Sequence, residues 1–198
     1  MPTMAEKKAL REQMAAAVLA ARDQVPVGPP LTIDLVPKPC WCTNLRTLLT
    51  DTEWDAIRKP MVEAAAGRCE VCGVAWTKSP LQSHEIWAYD VDNRAQRLTR
   101  LVVLCPDCHN AKHYGRAQQI GYDGEARAQL AKVNGWSAQQ VKEHIDQAFA
   151  QWDERNKIAW ELDVSLLGLP LDGGRMADAK RRAEAERHRA SEERAKGR

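Results

Sequence analysis

The sequence predicts an α+β fold: a small, metal-bound core flanked by α-helices and followed by a charged helical tail. Three observations carry that expectation. Two C-x2-C pairs, Cys69/Cys72 and Cys105/Cys108, bracket residues 73–104. Between them lie short alternating or apolar stretches of the kind that form strands. On either side, runs rich in Ala, Leu, Glu and Lys repeat their apolar residues at helical spacing. Thiolates at C-x2-C spacing can meet one face of a tetrahedral ion, and two such pairs close a four-cysteine site. Cys69, Cys72, Cys105 and Cys108 are therefore read as ligands of a structural Zn2+. Unligated buried cysteines or disulfides are the competing reading.

The 198 residues can hold one medium domain with extensions, or two small ones. Hydrophobic residues make up 44%, enough for a core, and seven Trp against one Phe make tryptophan the main aromatic anchor. Paired cysteine spacing with no signal peptide in front points to a reducing, cytoplasmic setting. No apolar run approaches the roughly 20 residues that cross a bilayer, so no membrane association is expected. The net charge of +2 conceals an asymmetry: nine Lys/Arg against five Asp/Glu from Arg175 onward, and a small acidic excess before it. Global charge does not announce a nucleic-acid binder, so that role must rest on local features.

In chain order, residues 1–24 contain a helix over 3–22 with Leu10, Met14, Val18 and Leu19 near one face. Residues 25–50 read as a Pro-rich linker enclosing LTIDLV (31–36), an alternating segment that suits an edge strand. Cys40 and Cys42 flank Trp41, and ordinary burial is favoured over metal binding there. Residues 51–120 form the zinc-binding domain. Thr50 and Glu53 make a capping box for a helix through about Ala66, which Pro60 should kink or break and Gly67 ends. Short strands are expected at Val74–Trp76, Leu81–Ile86 and Leu101–Leu104, with a turn at 90–93. Pro106 opens a helix carrying His109 and His113.

Residues 121–174 give two further helices, Glu125–Val133 and one capped by Ser137 and Gln140 that runs to about Lys157. On the second, Val141, Ile145, Phe149 and Trp152 make the apolar face, and His144 reads as a helix-surface residue. WELDVSLL (160–167) alternates again and can pair with LTIDLV to clasp the two ends of the body. Residues 175–198 cannot bury a core. Opposite charges at i,i+4, such as Arg182 and Glu186, suit a solvated, fraying helix.

The segment from Cys105 to His113 carries the most chemical information. Positions four apart share a helix face, so His109 and His113 can hold one ion together while the cysteines before them face the zinc. The alternative is that His109 merely packs and His113 lies on the surface. His84-Glu85, between the cysteine pairs, supplies a histidine and a carboxylate that folding on zinc would bring opposite that helix. A divalent ion, a further ligand and a base together suit metal-assisted hydrolysis of a phosphodiester.

Residues 69–113 resemble the His-Asn-His (HNH) nucleases of ββα-metal fold, in their zinc-stabilised branch. There two C-x2-C pairs bracket the motif, and the second runs into a Cys-His on the metal-binding helix. The resemblance implies an α+β fold with a small zinc-bound, treble-clef-like ββα-metal core. It implies DNA phosphodiester hydrolysis with Mg2+ or another divalent ion on His109, with His113 matching the second helix histidine. Where the family carries Asp-His or His-His before an apolar residue, this chain carries Ser83-His84-Glu85-Ile86. Either His84 is a ligand and Glu85 the base, or His84 is the base and Ser83 replaces the aspartate; imidazole titrates nearer working pH. Thr99-Arg100-Leu101 stands where the middle asparagine usually lies, and the nearest asparagine is Asn93.

As a nuclease the chain would set its metal-binding helix against a DNA minor groove, with Arg94, Arg97, Arg100, Lys112 and Arg116 near phosphates. The same residues also fit a solvated, mixed-charge surface. Competing functions are a non-catalytic zinc module that binds nucleic acid or a protein partner, and another metal hydrolase. Self-association or partner binding through the terminal helices is a further expectation.

Overall fold

The computed structural model describes residues 3–23, 28–41, 44–77, 79–169 and 171–196, without the side chains of 186, 187, 189–191 and 193–196. Eight helices and a three-stranded sheet make a mixed α and β fold among these residues. Helix α1 spans Met4–Arg22 and starts at a Thr3–Glu6 capping box. Its Met14, Val18 and Ala21 are buried, in agreement with the face read from periodicity. The short α2 (Leu45–Leu48) and the longer α3 (Asp51–Ala64) follow, each with a capping box; that of α3 is Thr50 with Glu53. Helix α3 passes Pro60 unbroken, and the left-handed Ala66 and Gly67 turn the chain out of it towards Cys69.

Strands β1 (Gln82–Asp90) and β2 (Ala95–Leu104) form an antiparallel hairpin in which His84 pairs with Val102. Both are longer than the apolar runs suggest, because a turn held by Asn93 N–H on Asp90 Oδ1 (3.1 Å) lets pairing continue to the hairpin tip. Val74–Trp76, expected as a strand, contributes only an isolated bridge between Arg68 and Ala75. From β2 the chain enters α4 (Pro106–Lys112), then α5 (Tyr114–Gln119), α6 (Asp123–Asn134) and α7 (Ala138–Arg155). Gly135 adopts the left-handed conformation that stops α6, and the Ser137–Gln140 box starts α7.

The expected pairing of LTIDLV with WELDVSLL does not occur. Strand β3 (Glu161–Asp163) instead lies parallel to the start of β2, leaving β1 with a free edge among the described residues. LTIDLV is extended without being a strand, since side chains of α6 and α7 take the N–H groups of Leu31 and Ile33 and Lys112 O takes that of Asp34. Asn134 accepts from Leu31 N–H (3.0 Å) and donates to Leu31 O (2.8 Å). His144, expected on the helix surface, accepts from Ile33 N–H (3.0 Å). Alternation still governs the segment: Leu31 and Ile33 enter the core, while Asp34 points the other way, towards α4.

The core is one continuous cluster. It joins α1 (Met14, Val18), α3 (Ile57, Met61), β2 (Leu101–Leu104) and the cysteines of both pairs to α6 and α7 (Leu130, Val141). Burying this set is the main favourable term for so small a sheet. Helix α8 (Gly173–Lys196) is helical as expected, but it docks rather than floating. Arg175 forks onto both oxygens of Glu53 (3.0 and 2.9 Å), Arg182 donates to Leu49 O (2.7 Å), and Ala183 is buried. The Glu186 side chain, expected opposite Arg182, and Cys42 lie outside the described set; Cys40 is a buried free thiol. No helix among the described residues is long and apolar enough to cross a membrane.

Candidate metal centres

Local backbone chemistry builds the four-cysteine cluster. Gly73, left-handed at φ +70°, closes the first turn by donating to Cys69 O (2.9 Å), and Cys69 N–H bonds Val74 O (3.0 Å). Glu70 in this turn straps it to β2, donating to Val103 O (2.9 Å) and accepting from Val103 N–H (2.6 Å); its carboxylate also meets Arg22 of α1. The second pair sits where β2 becomes α4: Cys105 is the N-cap, Pro106 the first helical residue, and Cys108 lies in the first turn. The four sulfurs lie within 4.8 Å of one another.

The surroundings fit thiolate ligands. Backbone N–H groups of Cys72, Cys105 and Val71 point at the Cys69 sulfur, and Gln129 Nε2 donates to Cys108 Sγ (3.1 Å). A bond from Cys108 and those N–H groups hold the Cys69 thiol down at about 4 despite burial. Sharing with Cys69 and burial push Cys108 the other way. Four buried or half-buried sulfurs at this spacing, with N–H donors behind them, can hold a metal such as zinc.

A second cluster lies on the same helix. Nitrogen atoms of His84, His109 and His113 also lie within 4.8 Å of one another, with ring centroids 4.5 to 5.4 Å apart. His109 follows Cys108 in α4, so one turn of helix serves both clusters on different faces. His113 is not inside that helix: it is the cap after Lys112 (φ −86°, ψ 44°), and its N–H still bonds His109 O (3.0 Å). Burial, then neighbouring histidine charge, lowers His109 to about 3. Burial and His84 lower His113 to about 4, so both are neutral, lone-pair-bearing imidazoles near neutral pH.

Sequence reading missed Asp34. Its Oδ2 lies 3.1 Å from His84 Nε2 and 3.0 Å from Lys112 Nζ. Burial opposes its charge, but Lys112 and the bond with His84 outweigh that and hold the carboxyl well below its ordinary range. Lys112, expected at phosphates, is buried and bonds Thr32 as well as Asp34.

Glu85 does not join the histidines. The strand pleat turns adjacent residues to opposite faces, and its carboxylate accepts from Leu45 N–H (3.0 Å) and Trp87 Nε1 (3.0 Å). Burial lifts it to about 7. Thr99, near the expected asparagine, donates to Ile86 O (2.9 Å) at the β1 bulge.

The remaining basic residues divide. Arg116 is exposed and near enough to His109 and His113 to depress them. Arg94 is in the hairpin turn, Arg97 is paired with Asp163 (2.7 Å), and Arg100 is half-buried against Arg22 O (3.4 Å). None of these three reaches the histidines. A cleft of about 970 Å³ does, running along the free edge of β1. Asp34, all three histidines and Glu85 line it, with Arg46, Arg58 and Arg155 and the aromatic rings of Trp41, Trp54, Trp87 and Tyr89. Those arginines sit in segments with no motif, so only the folded chain reveals them. No protein-family model, curated protein or solved structure matches the chain.

Proposed function

We propose that the chain is a metal-dependent phosphodiester hydrolase acting on DNA, of the zinc-stabilised HNH kind. One observation carries the reading: the convergence of His84, His109 and His113 in a cleft, with His109 next in the chain to Cys108 of the four-cysteine cluster. A four-cysteine site needs no further histidines, and two of these three are kept neutral at the pH where metal ligands must be deprotonated. The order of cysteine pair, strand histidine, cysteine pair and helix histidines is also that of the resemblance drawn from residues 69–113.

A divalent ion would stabilise charge on the phosphate and the leaving oxygen, and a cluster of imidazoles suits a transition ion such as Ni2+ or Zn2+ better than Mg2+. His109 and His113 would hold it. His84 would work from the nitrogen that Asp34 does not occupy, as a third ligand or as the base for the attacking water. Arg46, Arg58 and Arg155 of the cleft lining, with Arg116, would meet the backbone of a nucleic-acid strand.

The test is cleavage of plasmid and linear DNA in Mg2+ or Mn2+, beside His109→Ala and His84→Ala. Loss of at least ~100-fold is expected for either variant. An unchanged metal affinity in His84→Ala assigns it as base; a lost one assigns it as ligand. No cleavage by the folded wild type in any metal would sink the enzyme and leave a zinc-bound binding module.

A further inference from the structure

We propose that Asp34 is the positioning residue of the histidine cluster, fixing which nitrogen of His84 is free to work there. The inference rests on the reading of that cluster as a metal site, but the first of its two tests does not. A carboxylate bearing charge can only accept, so across the 3.1 Å contact Nε2 carries a proton, and in the neutral ring the lone pair is then at Nδ1. His84 is 5% exposed and the contact is part-buried, so water is a poor substitute for the carboxylate. Whether His84 binds the ion or deprotonates water, it needs that lone pair; the wrong tautomer would present N–H instead. Asp34 belongs to neither group of candidate ligand atoms.

Asp34 is itself held at side chain and backbone. Lys112 Nζ reaches Oδ2 (3.0 Å) and Thr32 Oγ1 (3.3 Å), and Asp34 N–H donates to Lys112 O (2.8 Å). Lys112 is the last residue of α4, between His109 inside that helix and His113 at its cap, so the cation that anchors Asp34 stands between the two histidines in the chain. On the other side, Asn134 and His144 fix the backbone at Leu31 and Ile33. The site thus draws on residues 31–34 and on α6 and α7, well outside the cysteine-bounded segment. A core limited to residues 51–120 lacks this support.

Two measurements on the full, zinc-loaded chain test the assignment. The first is the His84 tautomer by imidazole 15N–13C correlation NMR. The Nε2–H form is expected in the wild type and in Asp34→Asn, whose amide oxygen accepts the same bond, and a mixture of tautomers in Asp34→Ala. The second is Co2+ affinity at the histidine cluster, read from visible absorption with His109→Ala as the blank. Asp34→Ala should weaken it about 10- to 100-fold, the usual effect of losing a group that orients a ligand, with most restored in Asp34→Asn. An Nδ1–H tautomer in the wild type, or one unchanged in a folded Asp34→Ala, overturns the proposal. So does equal loss of affinity in both variants, which would mean a packing role. If the wild type binds no Co2+ there, yet His84 is Nε2–H in the wild type and mixed in Asp34→Ala, the metal reading fails and the Asp34–His84 pair stands.

Discussion

The two clusters share helix α4 and are built by opposite means. The cysteine cluster is assembled by backbone: a left-handed glycine turn, a strand end and a helix start put four sulfurs together, and main-chain N–H groups face one of them. The histidine cluster is held by side chains from afar, through Asp34, Lys112 and the clamp of Asn134 and His144 on the extended segment. Support of the first kind is mainly local, with Glu70 and Gln129 adding side-chain bonds from farther along the chain. Support of the second kind lets distant substitutions disturb the site without unfolding the chain.

The largest effect should come from the cysteines. Structural zinc in small domains contributes on the order of 10 kcal/mol, comparable to the whole stability of a typical domain. Cys69→Ser should abolish zinc uptake, by metal analysis, and the cooperative thermal transition, by circular dichroism. His109→Ala should keep both. Equal zinc loss in the two variants would erase the distinction between the clusters.

Glu53 tests the scaffold without touching either cluster. Burial raises its pKa, but Arg175 and the Thr50 N–H more than offset that and bring it to about 2. Its folded pKa is below its unfolded one, so the stability it adds is full above about 4.5 and disappears as pH falls through about 2. Arg175→Ala should cost about 2–3 kcal/mol at neutral pH in urea unfolding, and less as the pH falls through that window. Cleavage per folded molecule should not change.

Asn134 should do the reverse. Asn134→Ala removes two bonds to Leu31, at a cost of about 1–2 kcal/mol. Its second effect is the informative one: a loosened Leu31–Asp34 segment should weaken Co2+ at the histidine cluster while the zinc content stays the same. A metal affinity equal to wild type would show that Asp34 is held from the Lys112 side alone.

The same contrast decides what was legible in the sequence. The cysteine pairs, the Thr50–Glu53 and Ser137–Gln140 boxes and the Asn134-Gly135 stop are local patterns, and the structure has them where they are written. The alternation of LTIDLV was also visible and correctly separates Leu31 and Ile33 from Asp34. Its partners were not, because a strand-like pattern does not say whether another strand or a helix side chain will take its N–H groups. Asp34 lies 50 residues from His84 and Glu53 122 from Arg175, and no spacing rule joins residues so far apart. Glu85, adjacent to His84 in sequence, is instead turned away from it by the pleat.

The smallest effect expected is at Arg97, and it separates the cleft from the sheet end. Arg97 is paired with Asp163 at 2.7 Å, with half its side chain in solvent. Exposed pairs of this kind contribute about 0.2–1 kcal/mol, so Arg97→Ala should lower stability by about 0.5 kcal/mol in urea unfolding. Arg97 lies beyond the bulge at Ile86/Trp87, towards the hairpin tip, whereas Arg58 and Arg155 line the cleft that holds the histidines. If a nucleic-acid strand reaches the histidines along that cleft, Arg155→Ala should weaken DNA binding and flatten its salt dependence by about one counterion. Arg97→Ala should leave both as they were. The opposite result, a loss at Arg97 and none at Arg155, would move the DNA off the cleft and onto the end of the sheet where β3 joins β2.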